Sequence, residues 1–332
     1  DLKISDKILN VLNTDRNTLR AVPEKYIHTD KVTELGSIPI YLKSELCYLR
    51  NPLLGDGTWS IIRSIPGYIQ IYIFSICNSI NNGTFTMPIF AFLMKRKTKE
   101  AYMEILIFMK TVYEEKYPHS KCEIPEIQCD AELAFLQAVE EVFPKCNSLL
   151  CTVHIIRGVM TNLQTKVNSK YWSIPVLYKT FRILSGIIFL NIQDEDILEI
   201  VDDYLRLNVP QMLSEYESKE KTNLKLAERW LDPKIGFYQY IMKTYLRPNA
   251  RFSPKLYKYF NRIVENSKMT KTTNAIERIN QNLKKIAGQG YLPQEKAFLK
   301  IRDLKHFYIR QHVEQALNNN LKISFLMITN HY

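Results

Sequence analysis

At 332 residues, 46% hydrophobic and 24% charged, the chain is too long for one minimal core and too apolar for a disordered polymer. A formal charge of +11 and a pI near 9.2 favour a polyanionic partner, most often nucleic acid. Six cysteines without a CxxC or a repeated spacing argue against a disulfide framework, and no apolar run reaches the roughly 18 residues of a membrane span.

The charge is unevenly spread. Residues 241–290 hold eleven Lys/Arg against Glu265 and Glu277, whereas residues 191–220 hold nine acids against Arg206 and Lys219. Cys77 and Cys129 sit in apolar strand-like runs, which suits reduced thiols in a cytosolic or nuclear protein. No signal peptide opens the chain, and its start at Asp1 without Met suggests a fragment.

Residues 1–35 read as polar helical segments, and Ile38 to Arg50 as an extended, mixed run. A compact βββ pattern follows. The first strand surrounds Asp56 and runs to Ser64, ahead of a Pro66-Gly67 turn. Tyr68 to Cys77 is the second strand, rich in β-branched and aromatic residues, and Asn81-Asn82-Gly83 turns into a third over Phe85 to Met94. Such short turns predict an antiparallel meander.

Lys97 to Glu115 is helical, with Tyr102, Ile105, Leu106, Met109 and Val112 on one stripe. A short strand over Glu123 to Cys129 ends at Asp130, a helix covers Ala131 to Phe143, and a strand from Ser148 to Cys151 runs into a helix carrying His154. The order βββ, α, β, α, β, α predicts an α/β fold of the ribonuclease-H-like kind, a mixed five-stranded sheet with flanking helices. Residues 160–260 read as an all-helical insertion, followed by helices over Thr272 to Ala287 and about Pro293 to Asn318. The expected domains are a helical lead-in over 1–45, a catalytic domain of 46–165 plus 262–332, and an all-α insertion over 166–261.

Three acids stand out by context. Asp56 lies on the first strand, Asp130 at the end of the fourth, and Glu277 on a late helix. In this fold the first and fourth strands are neighbours, so the first two carboxylates would converge. A third from a helix would complete an oxygen cage for two Mg²⁺ or Mn²⁺ ions about 3.5–4 Å apart, as phosphoryl transfer uses. Each also has a purely structural reading: an Asp-Gly turn for Asp56, a helix N-cap for Asp130, and a solvated residue pairing with Arg278 or Gln281 for Glu277. Cys151 and His154 have CxxH spacing, equally compatible with a core Cys and a capped His or with an accessory role at a metal site. On the late helix, Ile276, Ile279 and Leu283 would face a core. Asn274, Glu277, Arg278 and Gln281 share another face, with Lys284 and Lys285 beyond, either as a phosphate-contacting surface or as an ordinary amphipathic one.

Taken together, these segments resemble the Mutator-like element transposases. Gly55-Asp56-Gly57-Thr58-Trp59 is similar to that family's first-aspartate motif, with Trp where Phe is more usual. Met87-Pro88-Ile89 and Lys97-Thr98-Lys99-Glu100-Ala101-Tyr102 resemble the strand and helix entry that follow it, and Cys129-Asp130-Ala131-Glu132 the second-aspartate block. Cys151 to His154 matches the C/D-x-x-H motif, and Lys271 to Glu277 resembles the stretch carrying the glutamate; Arg278-Ile279-Asn280 replaces the Gly-Trp-His often found after it. In order along residues 40–290, 74 positions separate Asp56 from Asp130 and 147 separate Asp130 from Glu277.

The resemblance implies a nuclear cut-and-paste DNA transposase. Asp56, Asp130 and Glu277 would hold two Mg²⁺ or Mn²⁺ ions, and Cys151 and His154 would lie beside the site. Double-stranded DNA, as terminal inverted repeats and target, would be the partner, contacted by residues including Lys271, and a homodimer or higher assembly would hold two ends together. It also implies a hairpin intermediate with a Trp stacked on a displaced base, Trp230 or else Trp172, although a buried core position suits either. The glycines beside Asp56 would clear space for a metal and a DNA phosphate. Alternatives on the same fold are a domesticated, non-catalytic DNA-binding or regulatory protein and a nuclease without strand transfer.

Overall fold

The structure, a computed structural model, describes residues 31–58, 67–80, 83–166, 203, 207, 237–246, 250–252, 277 and 281. The chain divides into two compact units, one of residues 1–148 and 268–332 and the other of residues 149–267.

Most described elements lie in the first unit. Strands β1 (Ile38–Tyr41), β2 (Leu53–Thr58), β3 (Gln70–Ile80), β4 (Gly83–Met94), β5 (Glu126–Cys129) and β6 (Asn147–Leu150) form one mixed sheet in the order β1-β4-β3-β2-β5-β6. Helices α1 (Lys99–Lys116) and α2 (Leu133–Val142) connect β4 to β5 and β5 to β6. The architecture is α/β with a six-stranded sheet rather than five. The extra strand is β1, which pairs antiparallel with β4 at the sheet edge. It forms the start of the run that reads as extended from Ile38, although the lead-in to residue 45 is expected to be helical, and the rest of that run, Lys43–Arg50, is a 3-10 helix. Pro39 is compatible with an edge strand, where one ladder partner is absent anyway.

The meander β2-β3-β4 forms as the alternation of β-branched and aromatic residues predicts, with both pairings antiparallel. Asp56 stands inside β2, as a first strand surrounding it requires, rather than in an Asp-Gly turn, and Gly67 takes the positive φ of +81° that a tight turn needs. A bulge falls where Phe74 pairs with Phe90 and Ser75 with Pro88, leaving Ile89 as the extra residue. A proline without an N–H is tolerated at such a break in the ladder.

Helix α1 starts at the N-cap Thr98, whose side chain accepts from the Ala101 N–H at 3.3 Å. The whole predicted stripe of Tyr102, Ile105, Leu106, Met109 and Val112 is buried. Rings then knit helices to sheet. Phe135 of α2 lies 4.9 Å from Tyr72, 5.3 Å edge-on from Tyr102 and 6.0 Å from Phe74, and Phe92 and Phe90 extend the cluster across β4. Burial pushes the Cys122 and Cys146 thiols up to about 12, so both stay protonated at neutral pH.

In the second unit, helix α3 (Thr152–Lys166) and a short helix α4 (Phe237–Ile241) that continues as a π-turn over Met242–Leu246 are described. Tyr245 of that turn is buried and stacks on Phe252 at 5.9 Å. Among the described residues no helix is long and apolar enough to cross a membrane.

Candidate active site

Side chains alternate along a strand, so Asp56 shares one face of β2 with Leu54 and Thr58, and Gly55 and Gly57 lie on the other. Asp56 is 7% exposed. The glycines do not open room for a metal or a phosphate. A Cβ at Gly55 would stand 2.9 Å from the Tyr72 hydroxyl oxygen, and one at Gly57 would stand 2.5 Å from Gln70 Oε1. The missing side chains admit two large residues of β3 instead. Gly55→Ala therefore has to displace a fully buried ring, and we expect a loss of about 1–3 kcal/mol, read as a lower urea midpoint at an unchanged m-value.

Asp130 follows directly on β5. Strands β2 and β5 are parallel neighbours, with Leu53 opposite Ile127 and Leu54 opposite Gln128. Continued two residues further, that register sets Asp130 opposite Asp56. Neighbouring strands lie about 4.8 Å apart, so this continuation puts the backbones of the two acids side by side, Asp56 within β2 and Asp130 just past the end of β5. Asp130 is not a helix N-cap: Glu132 caps α2, without a side-chain hydrogen bond. The turn between is closed by the Glu132 N–H donating to the Asp130 carbonyl at 2.9 Å.

Glu277 is helical and half-buried, and Gln281, four positions on, is helical and exposed. Among the described residues, the carboxylate oxygens of Asp56, Asp130 and Glu277 do not all lie within 4.8 Å of one another. Lys271, Asn274, Arg278, Lys284, Lys285, Trp172 and Trp230 lie outside the described residues. In the second unit, Cys151 is buried and His154 half-buried at the start of α3, and the Cys151 Sγ and a His154 ring nitrogen are within 4.8 Å. One turn of helix thus brings two soft donors together.

Three residues that the sequence does not single out as site residues, Gln70, Tyr102 and Glu132, lie between β3 and the turn at Asp130, and the Asp130 charge acts on the last two. Gln70, 1% exposed, donates through Nε2 to the Tyr102 hydroxyl at 2.7 Å and lies 3.3 Å from Met94 Sδ. The Tyr102 hydroxyl and the Glu132 carboxylate are close enough to shift each other's ionisation. Burial drives the Tyr102 phenol well above its usual range, with the Glu132 charge adding to it. Burial also raises Glu132, the Asp130 charge adds to that, and the Tyr102 hydroxyl and Lys97 oppose it. Gln70 was visible as the lone amide in a β-branched and aromatic strand, the kind of buried polar residue that signals a partner.

Strand β4 runs parallel to β2, since two antiparallel pairings separate them. The run Lys95-Arg96-Lys97 therefore leaves the sheet at the end where Asp56 and Asp130 stand. Arg96 and Lys97 are exposed, and Lys95 Nζ sits 5.4 Å over the Tyr68 ring.

No protein-family model matches the chain, and no curated protein matches it in sequence.

Proposed function

We propose that the protein is a metal-dependent DNA phosphoryl transferase of the DDE transposase type, built on a ribonuclease-H-like sheet. The observation that supports this reading is the parallel β2–β5 register, Leu53 opposite Ile127 and Leu54 opposite Gln128, which if continued would put Asp130, just past β5, opposite Asp56. Like charges that close repel, and an oxygen-only pair of this kind suits a hard divalent cation. The order β4-β3-β2-β5-β6, with an antiparallel meander feeding a parallel neighbour, agrees with the ribonuclease-H-like reading.

Mg²⁺ or Mn²⁺ held there supplies Lewis-acid stabilisation of the attacking and leaving oxygens of a phosphodiester. Asp56 and Asp130 bind and orient that charge, and Glu277 is assigned as the third carboxylate. Cys151 and His154 are assigned an accessory role. Lys95, Arg96 and Lys97 supply positive charge at the same end of the sheet, where an anionic backbone must approach. A nuclear location and an assembly of at least two copies, one for each DNA end, go with this reading.

Nicking of supercoiled plasmid in Mg²⁺, followed by joining of a pre-cut 3′-hydroxyl end to target DNA, tests the function. Nicking with joining is the expected result. Nicking alone would make the protein a nuclease, and DNA binding with neither would make it a non-catalytic binding protein. In the same system the triple change Lys95→Ala, Arg96→Ala, Lys97→Ala should weaken DNA binding. It should also flatten the plot of log affinity against log salt by roughly 0.9 for each phosphate that these side chains neutralise.

A further inference from the structure

A chain of contacts links the neighbours of the two aspartates on the face of β2 opposite Asp56. Gln70 Oε1, buried and without a hydrogen-bond partner among the described residues, takes the space beside Gly57, the residue after Asp56, where a Cβ would stand 2.5 Å from it. Its Nε2 donates to the Tyr102 hydroxyl at 2.7 Å, and the Tyr102 ring packs on Phe135. The Phe135 N–H donates to the Glu132 carbonyl at 3.1 Å, and the Glu132 N–H donates to the Asp130 carbonyl at 2.9 Å. The Tyr102 hydroxyl and the Glu132 carboxylate also interact electrostatically. The chain runs through the aromatic cluster: Tyr102 is fully buried and stands 5.3 Å from both Tyr72 and Phe135.

Stability alone does not call for these groups. A Leu at 70 and a Phe at 102 would fill an aromatic core without the desolvation of an amide and a phenol, and buried polar networks are better explained by what they fix in place. What this one brings together is β3, which pairs with the strand of Asp56, helix α1, and the turn that carries Asp130. Resting on the metal-dependent reading above, we propose that Gln70, Tyr102 and Glu132 are positioning residues that hold Asp130 in register with Asp56 for a shared divalent cation.

The test is Mn²⁺ affinity of the full chain, measured by titration calorimetry beside the melting temperature. Partners behind metal ligands typically change affinity about 10–100-fold. Tyr102→Phe, which removes only the hydroxyl, should weaken Mn²⁺ binding about tenfold or more. Glu132→Ala should do the same, on a half-buried turn that spares the core. Glu132→Gln keeps an oxygen acceptor close to the Tyr102 hydroxyl and should retain most of the affinity.

Lower melting temperatures with an unchanged Mn²⁺ affinity in Tyr102→Phe and Glu132→Ala would reduce the network to a structural role and overturn the inference. An equal loss in Glu132→Gln and Glu132→Ala would make Glu132 itself a ligand, and would overturn it too. A wild-type chain with no Mn²⁺ binding that Asp56→Asn removes would instead overturn the functional reading, and the inference with it.

Discussion

Asp56→Asn and Asp130→Asn are each expected to reduce Mg²⁺-dependent nicking by about 10³-fold or more while DNA binding persists. The sizes follow from the charge. A carboxylate that binds the cation contributes several kcal/mol of transition-state stabilisation, and each 1.36 kcal/mol is about tenfold in rate. The amide keeps the shape of the side chain but neither its charge nor its affinity for a hard cation. Because both positions are near-isosteric substitutions, melting temperatures without metal should stay close to wild type. Mn²⁺ should raise the melting temperature of the wild-type chain, as any ligand of the folded state does, and leave that of Asp56→Asn unchanged. Full nicking activity in both variants would remove Asp56 and Asp130 from the chemistry.

The largest effect on stability is expected at Phe135. This ring has no solvent exposure and touches Tyr72, Phe74 and Tyr102, so it joins α2 to both the sheet and α1. Phe135→Ala leaves a cavity among side chains that are themselves fully buried, at a cost of about 3–5 kcal/mol. Ile107, on the outward side of α1 and 47% exposed, is the matched comparison; Ile107→Ala should stay within about 0.5 kcal/mol of wild type. Urea unfolding followed by circular dichroism separates the two. Equal losses would mean that the ring cluster does not join helix and sheet as described.

Much of this architecture is legible in the sequence because it is carried by period. Alternation over Gln70 to Met94 gives β3 and β4, and the 3.6-residue stripe from Tyr102 to Val112 gives α1, with errors of a few residues at the ends. The extended run from Ile38 is legible as such, but not where it ends or that it joins the sheet: β1 stops at Tyr41, Lys43–Arg50 is a 3-10 helix, and β4 supplies the pairing from some 50 positions on. The spacing of Asp56 and Asp130 points to neighbouring strand ends, and the parallel register gives that spacing a physical form.

The glycines mislead for a reason that no local pattern could reveal. Gly55 and Gly57 are small because Tyr72 and Gln70, from the neighbouring strand β3, cross the ladder into their space. For the same reason Glu132 reads as part of a helix start, although its carboxylate interacts with Tyr102, which is hydrogen-bonded to Gln70 of the strand beside Asp56. Such contacts are set by the sheet, so they appear only once strands are paired.

The central claim is that Asp56 and Asp130 share a divalent cation. The most direct measurement is anomalous scattering from a crystal soaked in Mn²⁺. A manganese peak in contact with carboxylate oxygens of both aspartates is expected, absent from Asp56→Asn crystals treated alike. Soaked wild-type crystals with no manganese at either carboxylate would contradict it.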